Sequence, residues 1–203
     1  MKRVGALLLT LVICLSTTIF VFGEEHGEIG DPQGFRGFSW GAHRDEITAN
    51  MGKTVADLCG ERIIWNGIET LGWDNYMPVS CFKADVHISI KADTDEMVCG
   101  QYKIANVSND DCAFILSELK RLYGEPNADP ATVLMHGCHV INEPVSLEQA
   151  QETYASPDGK IHAWDLGSTE IYYLINRHRI VYIVYIGADY IPEIPFKKSI
   201  SKP

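Results

Sequence analysis

"FKADVHISIKADTDEMVCGQYKIAN", residues 82–106, decides the architecture. Phe82, Ala84, Val86, Ile88 and Ile90 alternate with Lys83, Asp85, His87, Ser89 and Lys91. A period of two with one apolar face is the pattern of a half-buried strand. "KADTDE" supplies the turn, and "MVCGQYKIAN" returns as the partner strand. Pairing Ile90 with Val98 sets the register and carries Cys81 to a position opposite Val107. Cys99 then lies eight residues away along the partner, about 26 Å at ~3.3 Å per residue. A disulfide needs Cα atoms within about 7 Å, so this hairpin disfavours a Cys81–Cys99 bridge.

Upstream, "FRGFSWG" at 35–41 reads as a short extended segment whose aromatics seat the following helix. "HRDEITANMG" predicts that helix. Ile47 and Met51 fall four apart on one face, Asp45 and Glu46 complement the N-terminal dipole, and Gly52 suits the stop. His43 occupies the cap, a position that Ser, Thr, Asp and Asn fill better. Residues 61–71, 79–91 and 97–106 predict three strands, the first the least regular. Downstream, "SNDDCAFILSELKRLYGEP" (108–126) is the best helix in the chain. Cys112, Ile115, Leu116, Leu119, Leu122 and Tyr123 form a continuous stripe. Ser108 with Asp111 resembles a capping box, and Gly124 with Pro126 ends it. Residues 127–159 read as a polar stretch without periodicity. "KIHAWDLG", "TEIYYLINR" and "RIVYIVYIG" then predict three more strands, the last two joined by a tight turn near Asn176–His178.

The expected fold class is therefore α+β: two helix–β-meander (αβββ) units, 35–107 and 108–191, forming antiparallel sheet with helices packed on one face. Residues 24–34 read as a flexible lead and 192–203 as a mobile tail.

"MKRVGALLLTLVICLSTTIFVFGEE" opens the chain with Lys2 and Arg3, an apolar run from Val4 to Phe22, and an abrupt acidic end. That layout predicts a signal peptide, residues 1–23, cleaved near Gly23. An uncleaved anchor is the alternative, since 19 residues make ~28 Å of helix, nearly a bilayer. Either way the remainder is expected outside the cytoplasm, periplasmic or secreted, with membrane contact only if the segment stays uncleaved. Ile13 before Cys14, and an apolar run continuing past it, argue against a lipid-attachment site.

The 203-residue chain is 46% hydrophobic and 22% charged, values ordinary for a globular protein. Its net charge is −10, and loss of the two N-terminal bases makes the mature charge −12. With no basic cluster, that charge excludes nucleic acid as a partner. Cys59, Cys81, Cys99, Cys112 and Cys138 remain after processing. Their connectivity stays open: an odd count leaves at least one thiol free, and two bridges among five allow about fifteen arrangements.

The order "F-x-G-F-x-W-G-x-x-x-x-E-I…MG", three strands, "Y-x-I…F-x-x-L-x-x-L-Y-G-E-P", and finally "W…T-E-I-Y-x-L…I-V-Y-I-V-Y" resembles a group of exported bacterial proteins of unknown function. Their helix–three-strand repeat is similar to the outer-membrane assembly lipoprotein BamE (SmpA/OmlA) and to the β-lactamase inhibitor protein BLIP. The resemblance spans roughly residues 35–187. It implies a non-enzymatic extracytoplasmic module that presents a sheet or loop surface to a protein or envelope component, and it implies no catalytic residue. The chain departs from this group at the His43 cap and in lacking a lipidation motif.

Candidate chemistry is sparse. His136, Cys138 and His139 in "MHGCHV" are good ligand types for zinc or copper, but three ligands within four residues wrap one ion poorly and no second cluster matches them. "DTDE" at 93–96 resembles the opening of a calcium loop whose later positions hold Met97 and Cys99; it reads as a solvated turn. Asp85 and His87 share the wet strand face and have the residue types of a general acid–base pair. No G-x-S-x-G, H-E-x-x-H, P-loop or G-x-G-x-x-G motif accompanies them. Trp65, Trp73, Tyr76 and Tyr190 are candidate partner anchors or core residues. No catalytic residue and no cofactor is assigned. The expected function is a binding module. The rivals are a secreted hydrolase or metal-dependent enzyme using Asp85/His87 or His136/Cys138/His139, and a structural envelope protein.

Overall fold

The computed structural model describes residues 33–52, 54, 64–65, 67–79, 82–141, 161–176 and 178–190, with only the backbone of 65, 74–79, 135 and 137–141. The expected signal peptide (1–23), most of the expected lead, residues 192–203, Cys59 and Cys81 lie outside the described residues.

Four ranges build the first part of the chain: β1 (Gly34–Phe35), β2 (Phe38–Ser39), α1 (Arg44–Met51) and β3 (Ile64–Trp65). They are followed by β4 (Ile68–Val79), β5 (Phe82–Lys91) and β6 (Met97–Ile104). The second part holds α2 (Asn109–Tyr123), α3 (Pro130–Ile141), β7 (His162–Asp165), β8 (Thr169–Ile175) and β9 (Val181–Gly187), ending in a 3₁₀ turn, Ala188–Tyr190. The fold is α+β. One seven-stranded antiparallel sheet runs β3-β4-β5-β6-β9-β8-β7, so the two meanders meet where β6 pairs with β9.

The expected register holds from Asp85↔Lys103 to Ser89↔Cys99, and slips by one residue at Ile90↔Met97. Cys99 and Cys112 are free, buried thiols. The first strand differs from expectation. In place of 61–71 there is the two-residue β3, a turn at Gly67, and the twelve-residue β4. An irregularity between Trp73 and Met77 lets β4 continue to Pro78 and Val79, where a proline is tolerated next to a bulge.

The alternation creates two faces. Face one carries Leu71, Trp73, Val86, Ile88, Tyr102, Ile104, Ile171, Tyr173, Ile183 and Tyr185, under Ile47 and Met51 of α1 and Cys112, Ile115 and Leu119 of α2. α2 has the full capping box, Asp111 N–H donating to Ser108 Oγ (3.1 Å) and Ser108 N–H to Asp111 Oδ2 (2.8 Å). The segment at 35–39 is a hairpin rather than a single extended piece. Arg36 (φ 54°) and Gly37 (φ 80°) are its two turn residues, the type I′ pattern that fits twisted strands. The hairpin lies on face one, where a Cβ on Gly100 would overlap the Phe35 ring.

The two expected helices share face one, but a third, unexpected helix covers the other face. The sequence of 127–159 carries little periodicity, yet 130–141 form α3, which packs across β6, β9, β8 and β7. Its Val133 and Leu134 join Val98, Cys99, Ala163, Tyr172, Leu174, Val184 and Ile186 on face two. The physical reason is local. Asp129 accepts from Ala131 N–H and Thr132 Oγ1–H, and Pro130 fills the first helical position, where its missing N–H costs nothing.

The sheet ends at β7 against a loop. Ala163 O accepts from Asn127 N–H (3.1 Å) and Ala128 N–H (3.3 Å). The Asn127 carboxamide donates to Asp165 O (3.0 Å) and accepts from Asp165 N–H (2.8 Å). Among the described residues, no helix is long and apolar enough to cross a membrane.

Candidate functional site

Register places the face-two residues in rows. One row is Glu170, Ile186, Cys99, Ser89 and Thr70; the next is Tyr172, Val184, Gln101, His87 and Gly72; a third is Leu174, Tyr182, Lys103 and Asp85. The β8 and β9 ends of these rows are mostly apolar and lie under α3. Across the β9–β6 seam the rows turn polar. Beyond Cys99, that half carries Ser89, Gln101, His87, Lys103 and Asp85, of which Ser89 and Gln101 are buried.

The sequence candidates fall on different parts of this face. Asp85 and His87 stand side by side on β5. Asp85 Oδ2 is 3.9 Å from Lys103 Nζ, its opposite neighbour on β6. The His87 ring leans toward Gly72 on β4, about van der Waals distance from where a Cβ would stand. His136 belongs to α3, not to a loop. Its Nδ1 is 2.6 Å from Glu170 Oε2, both side chains largely buried. An ionised carboxylate only accepts, so Nδ1–H donates, and the pair fixes α3 to β8. Three strand spacings, ~14 Å, separate Glu170 from the β5 pair, so the two constellations do not converge. The side chains of Cys138 and His139 lie outside the described residues. Their positions on α3 put Cys138 about 200° around the axis from His136 and His139 about 60°, a poor arrangement for three ligands to one ion. Among the described residues, no group of three or more His, Cys, Asp or Glu side chains comes together.

The aromatic candidates separate too. Trp73 is a core residue whose Nε1–H reaches Gly52 O at 3.4 Å. Tyr190 is partly buried, and Lys91 Nζ sits 4.8 Å from its ring centroid. The Trp65 and Tyr76 side chains lie outside the described residues. The 93–96 turn clamps the start of α1 to the β5–β6 hairpin. Arg44 N–H donates to Asp95 O (2.9 Å), and Gly41 N–H to Met97 O (2.9 Å).

Sequence reading missed four features. Glu69, fully buried on face one, pairs with Arg44 at 2.6 Å. Arg36 is buried, its guanidinium 5.8 Å from the Tyr102 ring centroid. Burial pushes the Tyr102 phenol up to about 12 against the opposing pull of Arg36, and Tyr185 is raised for the same reason. Ser89 and Gln101 are buried polar residues on face two. No pattern marked the last pair: Ser89 falls on the wet side of β5 with Lys83, Asp85, His87 and Lys91, and the burial of both depends on contacts across strands. Compared with family models, curated proteins and solved structures, the chain gives no match.

Proposed function

We propose that the protein is an exported binding module, extracytoplasmic after cleavage near Gly23, that holds a protein or envelope component against the polar half of face two. In this reading residues 35–107 and 108–191 are two αβββ units of the kind that the BamE-like and BLIP-like resemblance implies. The mirrored strand order β4-β5-β6 and β9-β8-β7 supports that division, with α3 an addition to the second unit. The observation that carries the proposal is the polarity boundary at the β9–β6 seam. A sheet that needed only a core would be covered across both halves, or alternate evenly along every strand. The separation of Asp85/His87 from His136/Glu170, and the Lys103 ammonium beside Asp85, favour this reading over a hydrolase.

Capture from an envelope extract on immobilised protein tests it. One identified component, retained saturably and displaced by free protein, is expected. Retention of nothing would leave a structural envelope role.

A further inference from the structure

We propose that the end of the sheet where β9 stops is a sugar-binding platform. A neutral pyranose ring of an oligosaccharide stacks its C–H face on Trp40 and Tyr190, and Lys91, Glu96 and Asp189 meet its hydroxyls. The platform lies apart from the polar half of face two and stands whether or not that half holds a partner.

The first observation is a pair of adjoining aromatic rings at the surface. A Cβ on Gly187 would stand 2.9 Å from the Trp40 ring and 3.1 Å from the Tyr190 ring. Both rings therefore settle onto the last residue of β9 because it has no side chain. Trp40 packs at the margin of the face-one core and Tyr190 at the margin of the face-two core, and each leaves part of its side chain in solvent. Both are held in place. Trp40 Nε1–H donates to Thr169 Oγ1 at 2.8 Å. Tyr190 presses against Gly41, where a Cβ would come within 2.6 Å of its hydroxyl oxygen. The backbone around them is tied down as well, Ala188 N–H donating to Ser168 O (3.0 Å) and Lys91 N–H to Glu96 O (2.9 Å). Rings fixed in advance lose little freedom when a ligand arrives.

The second observation is the polar rim. A pyranose has faces of C–H groups and an edge of hydroxyls. The C–H face suits the electron-rich face of Trp or Tyr, and the hydroxyls need both donors and acceptors. Lys91 Nζ, 4.8 Å from the Tyr190 ring centroid, supplies donors. Glu96 and Asp189 supply acceptors, and both stand close enough to Tyr190 to raise its phenol, after the larger effect of its partial burial. On the turns that carry this rim Lys91 stands against Asp93, Asp95, Glu96 and Asp189. That acid excess turns away uronic and phosphorylated sugars and selects neutral ones.

The test titrates the ¹⁵N-labelled protein with cellotetraose and with chitotetraose, and in parallel with tetragalacturonate. Saturable shifts at the Trp40 indole and the Gly41, Gly187 and Tyr190 amides are expected with at least one neutral tetramer and not with tetragalacturonate, at a Kd of about 1 mM. Tyr190→Ala and Lys91→Ala should weaken binding about tenfold and about threefold, and Tyr190→Phe should retain most of it. Lys91 is partly exposed, so Lys91→Ala keeps the test valid if Tyr190→Ala does not fold. The absence of saturable shifts with both neutral tetramers overturns the proposal, as does wild-type affinity in Lys91→Ala. An equal response to tetragalacturonate overturns the choice of a neutral sugar.

Discussion

At His43 the cap works, but poorly. The imidazole Nδ1 accepts from Asp45 N–H at 3.4 Å, with the ring half exposed. That length lies beyond the usual range for N–H donors. His43→Ser places a compact hydroxyl at the same extended backbone position and should stabilise the protein by about 1 kcal/mol in urea unfolding. A destabilised variant would give the ring another role. Gly100 is constrained differently, by space. Because the Phe35 ring occupies the position of its missing Cβ, Gly100→Ala should cost about 1–3 kcal/mol. Phe35→Ala in the same chain should recover part of that loss. Strict additivity of the two changes would mean that the hairpin does not rest on β6.

The helices were legible to different degrees. α2 announces itself because its cap, stripe and stop all agree, and its structure repeats the cap, the stop and most of the stripe: Cys112, Ile115 and Leu119 are buried, while Leu122 at the end of the expected stripe is exposed, as is Phe114. Leu119→Ala should therefore cost about 2–5 kcal/mol, and Phe114→Ala within about 0.5 kcal/mol, both readable from denaturation midpoints. α3 escaped because its surrounding sequence carries little periodicity; the Asp129–Pro130 start was its only clear signal. β4 escaped for a related reason, since an irregular register through Trp73–Met77 erases the alternation on which strand reading depends. The polar half of face two was half legible: the wet side of β5 could be read, but burial of Gln101 depends on contacts across strands. The cap carboxylates also predict a pH response. Asp111 is held below the ordinary carboxylate value by the Ser108 hydroxyl and then the Ser108 N–H, and Asp129 by Thr132 and then the Ala131 N–H. A depressed folded value means that their contribution is complete above about pH 4 and is lost as pH falls through it. Asp111→Asn and Asp129→Asn should each flatten the acid limb of stability measured between about pH 5 and pH 2. An unchanged limb would place the acid sensitivity elsewhere.

For the whole molecule, the two buried thiols report on the unity of the fold. Cys99 lies on face two and Cys112 under face one. Burial also raises the Cys99 thiol far above its ordinary value. Both should resist iodoacetamide in the native state and become modified at one common rate set by global opening, as peptide mass mapping over time would show. Faster loss of Cys99 would mean that α3 lifts from the sheet independently. The β7 margin bears on how these molecules behave when crowded. A sheet edge with free amides and carbonyls is an invitation to lateral polymerisation, and here Asn127 answers the strand with its own carboxamide. Asn127 thus acts as a chain terminator for the sheet. Its replacement by alanine should leave the monomer folded while allowing copies to zip together edge to edge, visible as concentration-dependent growth in light scattering.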